Sequence, residues 1–453
     1  MLEKIFKLKE NKTNVSTEVI AGITTFMTMA YILAINPNVL SKTGMNSEAV
    51  LIATAFASCI GSVLMGLLAN LPFALSAGMG LNAYFAYTIV IGMGYSWQSA
   101  LFAVFLEGII FIILSLTNVR EAIFNAIPLS LKKAISVGIG LYIAYIGLQS
   151  AGVIVDSATL TTIGSFTENF STSGISALLA LIGLFLTAIL YIRKVKGAIL
   201  VGILATWILG MICQAAGIYV PDPAAEFYSL YPSLSITDFS KIGETFGQCF
   251  NINFGEMKIF DLITILLSFL FVDIFDTLGT LIGVASKADM LDEEGKLPKI
   301  RPALLSDAIS TTVGAVLGTS TTTTFVESSA GVASGGRTGL TAIVTGLLFL
   351  ISSLFAPVFT AIPGFATAPA LVFVGFMMFT SIADIKFTEN NYVEAIPAYL
   401  AVIFMVLSYS IADGIAMGMI SYVVINLFTG NHKKVSPLMY VLSVLFILKY
   451  IFL

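Results

Sequence analysis

Apolar windows long enough to cross a bilayer follow one another along almost the whole chain, and that succession restricts the fold more than any other feature. About 20 apolar residues in helical form span the hydrocarbon core. Such windows fall near 17–40, 48–69, 73–92, 98–116, 132–149, 176–192 and 197–216. After a polar loop containing Pro221, Pro223 and Pro232, a second set falls near 258–286, 301–318, 319–336, 338–356, 364–381, 391–408 and 412–429. A last apolar stretch, Val435 to Leu453, is either a further span or a helix lying along the membrane. Apolar residues make up 57% of the chain and charged ones 11%, which suits one integral membrane unit and no set of soluble domains.

Charge placement tests this map. With the N-terminus on the cytosolic side, the cytosolic segments hold 18 of the 22 basic residues, among them Lys4, Arg120, Lys132, Lys133, Arg193, Lys194, Lys196, Lys296, Arg337 and Lys433. Lys42, Lys241 and Lys258 fall outside, and Lys449 lies in the last stretch. That asymmetry follows the positive-inside rule. The first 26 residues carry four lysines and no small-residue cleavage site, so they read as a retained cytosolic end and not as a signal peptide. Cys59, Cys213 and Cys249 have no metal or redox spacing, and no metal or other cofactor is expected.

Two windows are interrupted. Leu317 to Gly339 (LGTSTTTTFVESSAGVASGGRTG) contains six threonines, four serines, five glycines and Glu327. In the first half, Leu71 to Gly94 places Pro72, Gly78 and Gly80 ahead of Asn82. Irregular backbone survives at membrane depth only inside protein or beside a watery cavity, and paired broken segments mark transporter binding sites. The halves also echo each other: Phe124 to Pro128 (FNAIP) matches Phe359 to Pro363 (FTAIP). Seven crossings per copy is an odd number, so the copies are inverted.

Three acids sit deep: Asp273 and Asp276 in the eighth window and Glu327 in the tenth. A charge at a helix centre costs about 2.5–3.5 kcal/mol on insertion scales. The three together would cost roughly 8–10 kcal/mol if they faced lipid, so they are expected to face an interior cavity. Asp273 and Asp276, three residues apart, share a helix face. Two carboxylates that close resist joint ionisation, which makes the pair a proton-binding element; a hydrogen bond to a neighbouring Ser or Thr is the plainer alternative. Glu107, with no second acid near it in sequence, reads as structural. Asn82 is equally a site amide or a helix cap. Thr323 and Thr324 either line the site or pair their own backbone. His432 reads as solvated, and Asp384 and Asp413 as interfacial. Acids, amides and hydroxyls without basic residues suit a neutral or cationic solute bearing N–H donors, such as an oxopurine. Two rivals are an anion exchanger of the same architecture and a membrane-embedded enzyme; no nucleophile–base pair or metal-spaced set supports the enzyme.

Four motifs carry a family resemblance: Thr24 to Pro37 (TTFMTMAYI then NP), Gly78 to Thr88 (GMGLNAYFAYT), Phe271 to Thr280 (FVDIFDTLGT) and Thr321 to Arg337 (TTTTFVESSAGVASGGR). Together they resemble the AzgA-type purine permease branch of the nucleobase–cation symporters. The resemblance implies an all-α membrane protein of seven plus seven inverted spans, with a short strand and half-helix in spans 3 and 10. It implies a core domain (1–116 and 258–356) and a gate domain (117–216 and 357–430), with an extracellular loop (217–257) between the halves; the C-terminal tail helix (431–453) looks additional to the family's pattern. The implied activity is proton-coupled uptake of guanine, hypoxanthine or adenine across a bacterial plasma membrane; the acid-lined cavity argued above favours guanine and hypoxanthine. Substrate binding would then fall to Glu327, Asp273 and Asn82, to which the hydroxyl run itself adds Thr323 and Thr324, and proton coupling to Asp273, Asp276 and Glu327. Uracil- and xanthine-type relatives use a Glu and often a His in the eighth span, where this chain has aspartates. Expected partners are the purine base, the proton and membrane lipid, with no nucleic acid; a homodimer is left open.

Overall fold

The computed structural model describes residues 2–117, 127–157, 160–222, 227–233, 235–252, 258–287, 290–291 and 297–452. Polar side chains set several helix starts by accepting hydrogen bonds from the first free backbone N–H groups. Asn14 caps α1 (Val15–Met29), which breaks at Ala30 and Tyr31 before α2 (Ile32–Ser41). Asn46 caps α3 (Ser47–Leu64), and a π-helical turn continues it to Ala69. Strand β1 (Leu75–Ala77) leads into α4 (Met79–Ala83), which widens into a π-helical stretch, Tyr84–Gly92. Ser96 caps α5 (Trp97–Ser115). The first half closes with α6 (Leu129–Ser150), a hairpin of β2 (Ile154–Ser157) and β3 (Leu160–Ile163), α7 (Ile175–Ile192) and α8 (Ala198–Ala215).

The second half repeats the plan. It comprises α9 (Ile259–Lys287), α10 (Ile300–Leu317), β4 (Thr322–Thr324), α11 (Ser328–Ala333), α12 (Gly339–Ser352), α13 (Gly364–Phe379), α14 (Tyr392–Leu407) and α15 (Ile411–Phe428). Both α6 and α13 begin one residue after a proline, Pro128 and Pro363, where the fixed proline φ favours helix entry. Residues 124–126 of the first FNAIP copy, with Arg120, Pro223 and Lys296, lie outside the described residues. Among the described residues, nine helices are long and apolar enough to cross a membrane. The third and tenth windows are strand plus half-helix, and α14 is shorter at 16 residues. The final stretch forms α16 (Pro437–Phe452), which packs on α15 and α9. The β2–β3 hairpin is absent from the sequence expectations; it pairs Ile154 with Ile163 through Ser157 with Leu160.

The helices sort into two groups. Helices α1, α3, α5, α10 and α12 pack against one another, while α6, α7, α8, α13, α14 and α15 form the second set. Three corresponding pairs touch across the halves, β1 with β4, α3 with α10 and α6 with α13, as expected of elements close to a two-fold axis between the copies. Glycine permits the closest approaches, as in other membrane helix contacts. A Cβ on Gly140 of α6 would lie 2.6 Å from the Gly375 carbonyl oxygen of α13, and one on Gly339 of α12 would lie 2.1 Å from the Gly66 carbonyl oxygen.

Two acids outside the sequence-derived set tie distant segments together. The Glu18 carboxylate, fully buried at the start of α1, accepts from the backbone N–H of Arg337 (2.8 Å), Thr338 (3.2 Å) and Thr341 (3.3 Å) and from the Thr341 hydroxyl (2.6 Å). It thereby occupies the free N–H groups that open α12, where a carboxylate is also favoured by the helix dipole. Glu48 accepts from Lys241 and from the Asp238 N–H, tying the loop after α8 to the start of α3.

Candidate transport site

The site is built on β1 and β4. Threonine is β-branched and suits extended backbone, and Gly318 (φ 105°) ends α10 in the left-handed region so that the TTTT run can turn back. The strands pair antiparallel, Leu75 with Thr324, Ser76 with Thr323 and Ala77 with Thr322. Backbone bonds from Gly78 N–H to Thr321 (3.0 Å) and from Phe325 N–H to Ala74 (3.0 Å) extend the ladder. A two-stranded sheet leaves open edges that cannot persist at membrane depth. Here hydroxyls close them: Ser62 of α3 accepts from Leu75 N–H (3.0 Å), Thr311 of α10 accepts from Thr322 N–H (3.2 Å), and Ser328 accepts from Ala74 N–H (3.0 Å).

A cavity of about 1400 Å³ opens beside this sheet. Its inner wall carries Tyr31, Asp276, Thr323, Thr324 and Glu327, and it runs outward past Thr24 and Ile20 to Lys133, Lys194, Lys196 and Asp384. Glu327 occupies the position before α11, and its Oε1 accepts from the Tyr31 hydroxyl at 2.6 Å. The Thr28 hydroxyl lies 3.4 Å from the Glu327 carbonyl oxygen. Thr323 is hydrogen-bonded through its side chain to Asp276. The Thr324 hydroxyl is buried and has no hydrogen-bond partner, so it is available to a ligand. Arg337 donates from Nη1 to the carbonyls of Val332 (2.7 Å) and Gly336 (2.8 Å). Its charge is thereby spent on the C-terminal end of α11, where a cation is favoured, and it does not line the cavity.

The sequence-derived residues thus divide. Glu327, Asp276, Thr323 and Thr324 meet at the inner wall. Asp273 is fully buried and not among the cavity-lining residues. Its Oδ1 accepts from the Thr277 hydroxyl (2.8 Å), which also lies 3.3 Å from both carboxylate oxygens of Asp307. Asn82 is likewise buried behind the sheet: its Oδ1 accepts from the Ser320 hydroxyl and its Nδ2 has no partner. Glu107 is closer to the broken backbone than its sequence surroundings indicate, accepting from the Thr321 hydroxyl at 2.6 Å. Asp384 pairs with Lys133 (2.8 Å) at the cavity mouth, and Asp413 accepts from Tyr450 (2.8 Å).

Sequence reasoning missed Tyr31 and Asp307. Asp307 carries the signal used for Asp273, an acid within an apolar window. Tyr31 carries none beyond its place in the first motif, because only folding brings the α1–α2 break against Glu327.

The sequence model described as the Permease family matches residues 16–417. The chain is 50% identical to a putative permease of Methanocaldococcus jannaschii over 453 residues, covering 100% of this chain and 98% of that one. It is 44% identical to the guanine/hypoxanthine permease PbuG of Bacillus subtilis over 462 residues, covering all of both chains. To the adenine permease AdeP of Escherichia coli it is 41% identical over 457 residues, covering 100% and 96%. Among solved structures, the transmembrane domain of the cyanobacterial bicarbonate transporter BicA superposes with a TM-score of 0.60 at 14% identity, covering 89% of this chain and 96% of that one. SLC26A9 follows with a TM-score of 0.56 at 11% identity, covering 92% and 66%. At such identities the likeness speaks for the fold alone, the inverted repeat of seven plus seven spans in a multi-pass membrane protein. Full-length identity to permeases, over the motifs that build the cavity wall, makes the chain a transporter and not an enzyme: it belongs to the Permease family, in the AzgA-type branch of the nucleobase–cation symporters.

Proposed function

We propose that the protein carries purine nucleobases, guanine or hypoxanthine by preference, into the cell together with protons. The observation that carries the reading is the inner wall of the cavity, where Glu327, held by Tyr31, faces the same space as Asp276 and the unpartnered Thr324 hydroxyl. Carboxylates accept from paired N–H groups. The oxopurine edge offers such donors, two adjacent ones in guanine, whereas adenine presents an amine beside a ring acceptor. PbuG and AdeP are named for each kind of substrate, so the distinction rests on this chemistry.

Protons would be carried by Asp276 and Glu327 at the wall and by Asp273 behind it. The group holding β1, β4 and α9 would act as the core, and the α6–α8 and α13–α15 group as the gate. With the lysine-rich face cytosolic and the protein in the cell membrane, the cavity opens inward. The test is uptake of radiolabelled hypoxanthine by cells lacking their own nucleobase carriers, with Glu327→Gln and with a protonophore. The expectation is that each lowers uptake at least about tenfold. Uptake indifferent to both would overturn the reading, and competition by unlabelled guanine, hypoxanthine and adenine ranks the bases.

A further inference from the structure

The cavity is larger than a nucleobase needs and is charged differently at its two ends. Ligand pockets for molecules several times a nucleobase's size run roughly 300–1,000 Å³, and this one holds about 1400 Å³. Ile20 and Tyr31 both line it, and eleven residues at a helical rise correspond to about 16 Å along α1 and into the break that follows it. Acids and hydroxyls occupy the inner end, and Lys133, Lys194 and Lys196 the outer.

Lys133 is already paired with Asp384. Lys194 and Lys196 are exposed in the turn between α7 and α8, and no ion pair is recorded for either among the described residues. That turn lies against α1: a Cβ on Gly197 would fall 2.9 Å from the Met27 carbonyl oxygen. Met27 is one turn, about 6 Å, from Tyr31. Two free ammonium groups on long stems therefore stand within a side chain's reach of the region just outside the base-binding wall.

We propose that this vestibule binds a purine nucleoside 5′-monophosphate, base toward Glu327 and phosphate on Lys194 and Lys196, as an inhibitor of transport. The inference rests on the nucleobase reading above. Lysine holds phosphate as a point charge, and ribose supplies the spacer between the two ends. Such a ligand is not carried. Its ribose phosphate fills the space between α1 and α11 on one side and α6, α8 and α13 on the other, all of which line the cavity, so the two helix groups cannot close behind it. The ligand is the product expected when an imported base displaces the leaving group at C1 of an activated ribose 5-phosphate, the N9–C1 bond forming as N9 loses its proton and the C1 substituent departs, which makes the contact a product brake.

The experiment uses the full chain in proteoliposomes and measures hypoxanthine exchange against guanosine 5′-monophosphate, guanosine and ribose 5-phosphate. The expected result is inhibition by the monophosphate at concentrations at least about tenfold below guanosine, with ribose 5-phosphate ineffective. The advantage shrinks at high salt, because exposed charges are screened. The double variant K194Q/K196Q loses the advantage and keeps hypoxanthine exchange. A monophosphate no better than guanosine, or an advantage that survives K194Q/K196Q, overturns the inference while leaving the nucleobase reading intact. Absence of hypoxanthine exchange in the unmodified protein overturns both.

Discussion

Tyr31→Phe removes one oxygen atom and leaves the ring that fills the α1–α2 break. The lost bond is a phenol donating to a carboxylate at 2.6 Å, within the short range of charge-assisted O–H···O contacts. Tyr31 is 1% exposed, so water replaces the hydroxyl only from the cavity side. Hydrogen bonds to charged groups are worth about 1.5–3 kcal/mol net. At about 1.4 kcal/mol per factor of ten, that corresponds to roughly a 10- to 150-fold loss in transport efficiency at low substrate. The loss belongs at the low end if a cavity water takes over the donation. The assay is the initial rate of labelled hypoxanthine uptake in vesicles carrying equal amounts of folded protein. The decisive control is the Glu327→Gln background: if Tyr31 acts by holding Glu327, its penalty there shrinks, as coupled residues in a double-mutant cycle require. An unchanged rate for Tyr31→Phe, or the same penalty in both backgrounds, refutes the assignment.

Two further outcomes follow from packing and burial. Gly339→Ala places a methyl 2.1 Å from the Gly66 carbonyl oxygen and 2.5 Å from its Cα; neither atom belongs to a side chain that can turn away. The cost is about 1–3 kcal/mol or more, seen as a lower Tm in detergent, whereas Gly243→Ala, with nothing within 4 Å, leaves Tm unmoved; equal Tm values for both contradict the close crossing. Burial pushes the Cys249 thiol up to about 11. Its contribution to stability is therefore whole below the unfolded thiol pKa of about 8.5 and lost as pH climbs toward the folded value. In a chain with Cys59 and Cys213 replaced by Ser, maleimide labels it slowly at pH 8 until the protein is denatured, and rapid native labelling at that pH contradicts the burial.

Much of the architecture is legible without coordinates, since lipid demands internally paired backbone and so converts hydropathy into helix positions. The windows locate the full-length helices to within a few residues, whereas α4 and α11 are short pieces inside theirs. The TTTT run and the Pro72 to Gly80 stretch announce the broken segments because such composition has no other place at that depth. The β2–β3 hairpin is not legible, lying where bilayer constraints lapse.

Sequence by itself determined that Glu327, Asp276, Thr323 and Thr324 belong to interrupted or acid-bearing spans, because an uncompensated charge or bare backbone in hydrocarbon has a large local cost. Tertiary structure alone decided which acid meets the cavity. Asp273 and Asp276 lie three residues apart on one helix, yet Asp273 turns to Thr277 near Asp307 while Asp276 meets Thr323 on the cavity wall. Local sequence cannot separate them, because the difference comes from Asp307 of α10, which meets α9 through Thr277 on one side, and from Thr323 of the strand pair on the other. The same holds for Tyr31 and Glu327, 296 residues apart: their bond exists only because two inverted halves fold against each other.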